Sequence, residues 1–389
     1  MIRKILCGLS LLGLLPLQPM VAQELVDASG PSCDYYLYAA AESADEVYKI
    51  KFDGQRATVI GVVPVGYQAT EIEGAHGLTV SLDGKHWFVT TAHGKPNGIL
   101  YKHSTATDKV VGQTTLGLFP ATMQISKATG LLYCVNFNLH GKMVASSVSI
   151  VDPAEMVEVA RTQTGSMPHG SRLSADGLSH FSCSMMSGEL FEIDAASFEV
   201  KRKLQLEDPT KIDRTPVRNK LPKQARHQAH ESAGDHLDIK GMPKPTWVHP
   251  HPKGGIAYVC LNGIAQVAEV DLRKWRVMRR FPTAKGPYNV EVTPDGAKLL
   301  VSYKSSQSFG ILDTKTGKEL ARIPSTRKIT HGVVISPDGR YGFVTSEGIG
   351  SEQGAVDVVD MRTNKLVSAV KIGLQAGGIA FWKIVPRGR

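Results

Sequence analysis

The 389-residue chain lacks most of the short motifs that announce a reaction. It has no Gly-X-Ser-X-Gly elbow, so a serine nucleophile on a strand-to-helix turn is excluded. It has no Cys-X-X-Cys-His, which excludes covalently attached haem, and no glycine-rich phosphate loop, which argues against a bound nucleotide. Long apolar runs are also missing. The one sustained stretch, Ile5 to Leu17, is roughly 13 residues and too short to cross a bilayer as a helix. Arg3 and Lys4 precede it and Met20-Val21-Ala22 follows, so residues 1–22 read as an export leader with cleavage near Ala22 or Gln23. A periplasmic or secreted, not membrane-spanning, protein is expected. Cysteine is scarce, with five in the chain, and four of them (Cys33, Cys134, Cys183 and Cys260) lie beyond the leader. Export would permit disulfides. However, three of these cysteines fall at similar depths in strands of different repeat units, where Cβ atoms do not come within the roughly 4.5 Å a bridge needs. Buried free thiols are expected. Net charge is +9, or +7 without Arg3 and Lys4, and the basic residues are scattered without interleaved aromatics. Nucleic acid is therefore not an expected partner.

What the chain has instead is a repeat. Leu78-Thr-Val-Ser-Leu-Asp-Gly-Lys85, Ser171-Arg-Leu-Ser-Ala-Asp-Gly177, Val290-Glu-Val-Thr-Pro-Asp-Gly-Ala297 and Val333-Val-Ile-Ser-Pro-Asp-Gly-Arg340 share one pattern. Each is a short alternating strand, a (Ser/Thr)-X-Asp-Gly turn, and a second apolar strand such as Trp87-Phe-Val-Thr-Thr. Asp-Gly between two such runs signals a hairpin, because glycine accepts the positive φ of a tight turn. Degenerate copies run from Met123 to Gly130 and from Val248 to Gly255. A second hairpin follows each first one, as at Val148-Ser-Ile-Val-Asp-Pro and Val356-Asp-Val-Val-Asp. Four strands per unit, repeating every ~42–48 residues, is propeller spacing.

Seven units result if the chain ends complete one another. Gly377-Gly-Ile-Ala-Phe-Trp matches a first strand, and Tyr35-Tyr-Leu-Tyr-Ala and Val47-Tyr-Lys-Ile-Lys supply strands it lacks. The expected architecture is all-β, a single seven-bladed β-propeller over residues 33–389 with four antiparallel strands per blade. The last blade is closed by N- and C-terminal strands, which hides the sheet edges. The Ser-Pro-Asp-Gly-Arg turn at 336–340 and the following Phe343-Val-Thr-Ser resemble the YVTN-repeat β-propellers, a family of exported seven-bladed proteins. The propellers of nitrous oxide reductase and of the cytochrome cd1 nitrite reductases are similar, though this chain lacks their additional domains. Pro168-His-Gly resembles the nitrous oxide reductase pattern, which implies copper on the axis. The missing His-His pair and cupredoxin domain limit that implication to a mono- or dinuclear site. One irregularity interrupts the repeat, an insertion at about 205–245 with six basic residues between Lys211 and Arg226, and His227, His230 and His236.

Aligning the units exposes the position five residues before each turn Ser or Thr, where the innermost strand begins and side chains face the channel. Its occupants are His76, Ala121, His169, Thr246, Tyr288, His331 and Gly377. Thirteen histidines in 389 residues would place about 0.2 there by chance, and three are present, each followed by glycine. They stand on blades one, three and six, nearly as evenly as seven positions allow. Three imidazoles with an open position suit zinc or copper, and binding that needs neutral rings is expected to weaken below about pH 6.

His93, His140, Lys304 and Glu347 end second strands or follow them, which puts them at the same face; Tyr288 lies between two of the histidines. Glu347 is the only carboxylate expected there. His249 starts a strand out of register with the key position. Met185 and Met186 could offer soft ligands but are expected to serve blade packing. The functional expectation is an exported propeller with a His-based copper or zinc site and a small-molecule or periplasmic protein partner, an oxidoreductase if it is an enzyme. The alternatives are a metal-free binding scaffold engaging partners through the insertion, and a lactonase-like hydrolase.

Overall fold

The computed structural model describes residues 33–68, 70–207 and 241–387. The segment expected to be an export leader and most of the insertion, with His227, His230 and His236, lie outside the described residues. The remainder is a ring of seven four-stranded antiparallel sheets. The innermost strands are β4 (Ala75–Val80), β8 (Pro120–Ile125), β12 (Pro168–Leu173), β16 (Pro245–Pro250), β20 (Pro287–Val292), β24 (Ile329–Ile335) and β28 (Ala376–Pro386). From each of the first six, three further strands follow outwards in chain order. The seventh blade has the order β28-β1-β2-β3, with β1 (Cys33–Ala41), β2 (Glu46–Phe52) and β3 (Ala57–Pro64). The expected closure by both chain ends is therefore correct.

Burial follows position within a blade. The second strand of blade six, β25 (Tyr341–Glu347), is buried throughout, because neighbouring blades cover both of its faces. The outermost strand of the same blade, β27 (Lys365–Lys371), alternates exposed and half-buried residues. The closing blade is wedged by aromatic contacts: Tyr35 meets Tyr341 of blade six edge-on at 5.0 Å, and Tyr38 stacks on Trp87 of blade one at 5.1 Å.

The hairpin turns are built as the pattern requires. Ser81 donates to Asp83 at 2.6 Å, Asp83 accepts the Lys85 N–H at 3.0 Å, and Gly84 takes φ 69°. Cys134, Cys183 and Cys260 are buried, and no disulfide forms among the described residues; Cys33 is only half-buried. Burial pushes all three buried thiols up in pKa, so they stay protonated. We expect them to react with Ellman's reagent only after denaturation. Rapid labelling of any of the three in the native protein would contradict this packing.

Each innermost strand carries one bulge at the channel-facing position. In blade one, Ala75 pairs with Thr91 and Leu78 with Val89, so His76 and Gly77 together oppose Thr90 alone. The same two-against-one step occurs at 121–122, 169–170, 288–289, 331–332 and 377–378, and an extra residue at Thr246 does the same in blade four. A bulge turns a side chain out of the alternating pleat, and here the bulges mark all seven channel positions, six of which carry a side chain. The freed N–H groups are taken up by the second strand. Thr90 accepts from Gly77 at 2.9 Å, Ser302 from Asn289 at 3.1 Å, and Thr345 from Gly332 at 2.7 Å. Two of these hydroxyls also stitch blades together: Ser302 donates to the His331 carbonyl at 2.7 Å, and Thr345 to the Gly377 carbonyl at 2.6 Å.

Candidate functional site

The bulges bring His76, His169 and His331 together on the axis, all buried. Their ring centres are 5.8 Å apart for His76 and His331, 6.4 Å for His76 and His169, and 6.5 Å for His169 and His331. The glycine after each histidine has a separate cause. A Cβ on Gly77 would lie 1.8 Å from the Ala121 carbonyl oxygen, on Gly170 2.3 Å from that of Thr246, and on Gly332 2.5 Å from that of Gly377. His-Gly is thus a channel residue followed by a blade-to-blade contact that admits no side chain.

Two of the three rings have fixed tautomers. His76 Nδ1 donates to Glu42 at 2.7 Å, and His169 Nδ1 faces the Thr246 carbonyl, which can only accept, at 3.2 Å. Both therefore present the Nε2 lone pair. That of His169 accepts the Tyr288 hydroxyl at 2.7 Å. His331 Nδ1 is buried without a hydrogen-bond partner among the described residues, and its Nε2 lies 4.0 Å from Glu347. Burial holds His169 down at about 3, and burial together with the Lys304 cation holds His331 well below the usual imidazole range. Both rings are neutral at pH 7, and remain so well below the pH 6 limit expected from unperturbed histidine.

Glu42 was missing from the sequence-derived set. It sits in a single 3-10 turn, Glu42–Ala44, between β1 and β2, and its second oxygen accepts from His93 Nε2 at 2.8 Å. Burial alone would raise this carboxyl, but contact with His76 and His93 carries it below the ordinary range; His93 is raised in turn by its bond to Glu42. The expectation of Glu347 as the lone carboxylate is corrected accordingly. The rule that selects His93, the segment after a second strand, also selects Glu42; the closing blade hid it, because its second strand comes first in the chain.

The rest of the collar gathers as expected, with one exception. Lys304 Nζ lies 4.4 Å over the Tyr288 ring and 3.4 Å from Glu347, and Tyr288 packs 4.7 Å from His331. Burial opposes the Lys304 charge, but Tyr288 and Glu347 hold it protonated. Burial pushes the Tyr288 phenol up to about 12 and raises Glu347, partly offset by Lys304. His140 is exposed at the rim, 6.1 Å from His93, with Phe119 against both rings. His249 is the exception. It stands three residues beyond Thr246, roughly 10 Å along β16, where it pairs with Glu291 at 3.3 Å away from the triad. Met185 and Met186 pack against the apolar core around Phe137.

No protein-family model matches the chain, and no curated protein does. Many solved structures do match, and two of them illustrate the likeness. One is Kuenenia stuttgartiensis hydrazine synthase, with 19% identity and a TM-score of 0.61 over 83% of this chain and 94% of that one. The other is the periplasmic gluconolactonase PpgL of Pseudomonas aeruginosa, with 16% identity and a TM-score of 0.66 over 90% and 99%. The likeness is one of fold. At these identities it supports the seven-bladed propeller and leaves the axial residues to be read from their own geometry.

Three buried imidazoles sharing one ion through bonds of about 2.1 Å would have ring centres roughly 5.5 Å apart. The triad is within about 1 Å of that spacing. Among the described residues no three His, Cys, Asp or Glu side chains already stand around a common point at ligand distance. Closing on an ion requires the rings to draw inwards and Tyr288 to release His169.

Proposed function

We propose that this is an exported propeller of the YVTN-repeat kind its turns resemble, holding one copper or zinc ion through His76, His169 and His331 and acting on a small molecule, as an oxidoreductase in preference to a hydrolase. The observation that carries the reading is the orientation of the rings. Nδ1 of His76 is held by a carboxylate and Nδ1 of His169 by a carbonyl, the outer contacts that aim imidazoles at a metal. The orphaned nitrogen of His331 supplies the third donor. When bound, copper or zinc would supply Lewis acidity at the axis, and copper one-electron chemistry as well. The chain's own residues would do the rest. Glu42 holds the proton on His76 Nδ1, Lys304 offers a cation to an anionic substrate group, and Tyr288 moves between His169 and the open position.

Elemental analysis of the mature protein, purified without a histidine tag, is expected to find close to one copper or zinc per chain, lost in His169→Ala. Glu42→Gln should bind metal roughly 10–100-fold more weakly. Tyr288→Phe, which frees the His169 lone pair, should bind at least as tightly as wild type. Unchanged metal in His169→Ala, or none in a folded sample challenged with both ions, would sink the proposal.

A second reading has its own support. Glu42 and Glu347 bring two carboxylates to the channel instead of the one expected, and PpgL is named a gluconolactonase. Lactone hydrolysis by metal-stripped protein, abolished in Glu42→Gln, would favour it.

A further inference from the structure

Thr246 occupies the channel position of blade four, between His169 on blade three and Tyr288 on blade five, and it is the only serine or threonine at these positions. Its hydroxyl has one proton to give. That proton goes to the Tyr288 carbonyl at 2.8 Å in preference to the Pro287 carbonyl at 3.3 Å. The carbonyl of Thr246 meets His169 Nδ1 at 3.2 Å, and the Tyr288 hydroxyl returns to His169 Nε2 at 2.7 Å. Three hydrogen bonds thus close a loop through β12, β16 and β20, and all three residues are buried, Thr246 completely.

The other two imidazoles are held differently. His76 is tied through Nδ1 to Glu42, and His331 comes no closer than 4.0 Å to Glu347. Neither has its Nε2 in a hydrogen bond among the described residues. His169 is therefore the one axial ring whose second nitrogen is already occupied, and the strength of that bond depends on where Tyr288 is held. A hydrogen bond weakens steeply as its angle closes, so a small slip of β20 against β16 would be felt at the phenol.

We propose that Thr246 is the positioning residue of the His169–Tyr288 bond. It fixes Nδ1 of one partner and the backbone of the other, which keeps His169 capped in the metal-free channel and sets how readily the ring is released. The cap stands on the chain's own bonds, whereas its consequence for an ion rests on the metal reading of the triad given above. Thr246→Val keeps the carbonyl and the side-chain shape but removes the donor, and Thr246→Ala removes the donor together with the methyl group. Thr246→Ser keeps the donor and loses only the methyl group. A residue that merely filled space would be replaced better by valine than by serine; a positioning hydroxyl gives the reverse order.

The full mature chain, free of metal and carrying ¹⁵N-labelled histidine, supplies the readout. The Nε2 resonance of His169, assigned by its loss in His169→Gln, has two reference values: wild type, with the phenol bonded, and Tyr288→Phe, with the nitrogen released. In Thr246→Val and Thr246→Ala it is expected to move at least about a third of the way to the Tyr288→Phe value, and in Thr246→Ser to stay at the wild-type value. Zinc affinity, titrated on the same samples, should rise about 2–10-fold in Tyr288→Phe, the equivalent of one neutral hydrogen bond, and part of that way in Thr246→Val. A wild-type resonance in folded Thr246→Val and Thr246→Ala would overturn the proposal, as would a larger displacement in Thr246→Ser than in Thr246→Val. Displacement in the expected order with no zinc bound by any variant would support the cap and remove the metal reading instead.

Discussion

Gly77→Ala is expected to lower the melting temperature by about 5–10 °C and to disturb the site, although the added methyl group touches no functional side chain. The new Cβ would lie 1.8 Å from the Ala121 carbonyl oxygen. That atom is backbone in the next blade and has no rotamer through which to escape. Overpacking ordinarily costs about 1–3 kcal/mol, and a clash of this depth belongs at or above the upper end. A change of 1 kcal/mol moves the midpoint of a domain of 150–250 residues by roughly 2–4 °C. Relief requires blades one and two to separate at the axis, which moves His76. Gly254→Ala is the contrasting case: Gly254 has a positive φ (74°), which Gly77 does not, and nothing lies within 4 Å of its new Cβ. It should cost about 1 kcal/mol and leave the site intact. A loss in Gly77→Ala no larger than the backbone strain of Gly254→Ala, read by calorimetry, would show that the blade contact does not explain the His-Gly pattern.

The second large effect is a loss of stability in mild acid. His169, His180 and His331 are buried and held neutral by burial, with His169 and His180 at about 3. The unfolded chain protonates them near 6.5. A base whose pKa is depressed in the fold contributes its full stability above the unfolded value and loses it as pH falls towards the folded one. The window is therefore pH 6.5 down to about 3. At pH 5 His169 and His180 each cost about 2 kcal/mol relative to pH 8. The raised carboxyls of Glu347 and Asp357 act in the opposite sense and offset part of this. His180 offers the cleanest test: it lies outside the channel cluster, stacked on Tyr133 at 5.0 Å, with both ring nitrogens unpartnered among the described residues. His180→Leu should reduce the difference in unfolding free energy between pH 8 and pH 5 by about 2 kcal/mol, whatever it does to packing at pH 8. An unchanged difference would mean that His180 already titrates normally in the fold.

The ring was legible in the sequence because its signals are local. A (Ser/Thr)-X-Asp-Gly turn declares itself within four residues, and its recurrence counts the blades. The three axial histidines were legible for the same reason, since they share an offset from those turns. The bulge beneath them was not, because nothing in His76-Gly77 or Tyr288-Asn289 separates a bulged pair from a regular one until the partner strand is in place. Glu42 went unseen because its blade is split between the chain ends, so no turn precedes it at the usual offset. His249 was already out of register in the sequence, and three residues along an extended strand carry it to Glu291 instead of the triad.

Glu42 has one more consequence, and it concerns timing. The carboxylate that fixes His76 belongs to the blade in which β28 zips onto β1, whereas His76 stands on the next blade round. The axial constellation is therefore finished only when β28 meets β1. A nascent or C-terminally clipped chain could stack its early blades and still leave His76 without its anchor. Loss of β28 is thus expected to loosen His76 before it unstacks the other blades, because the anchor of that ring lies in the blade β28 completes.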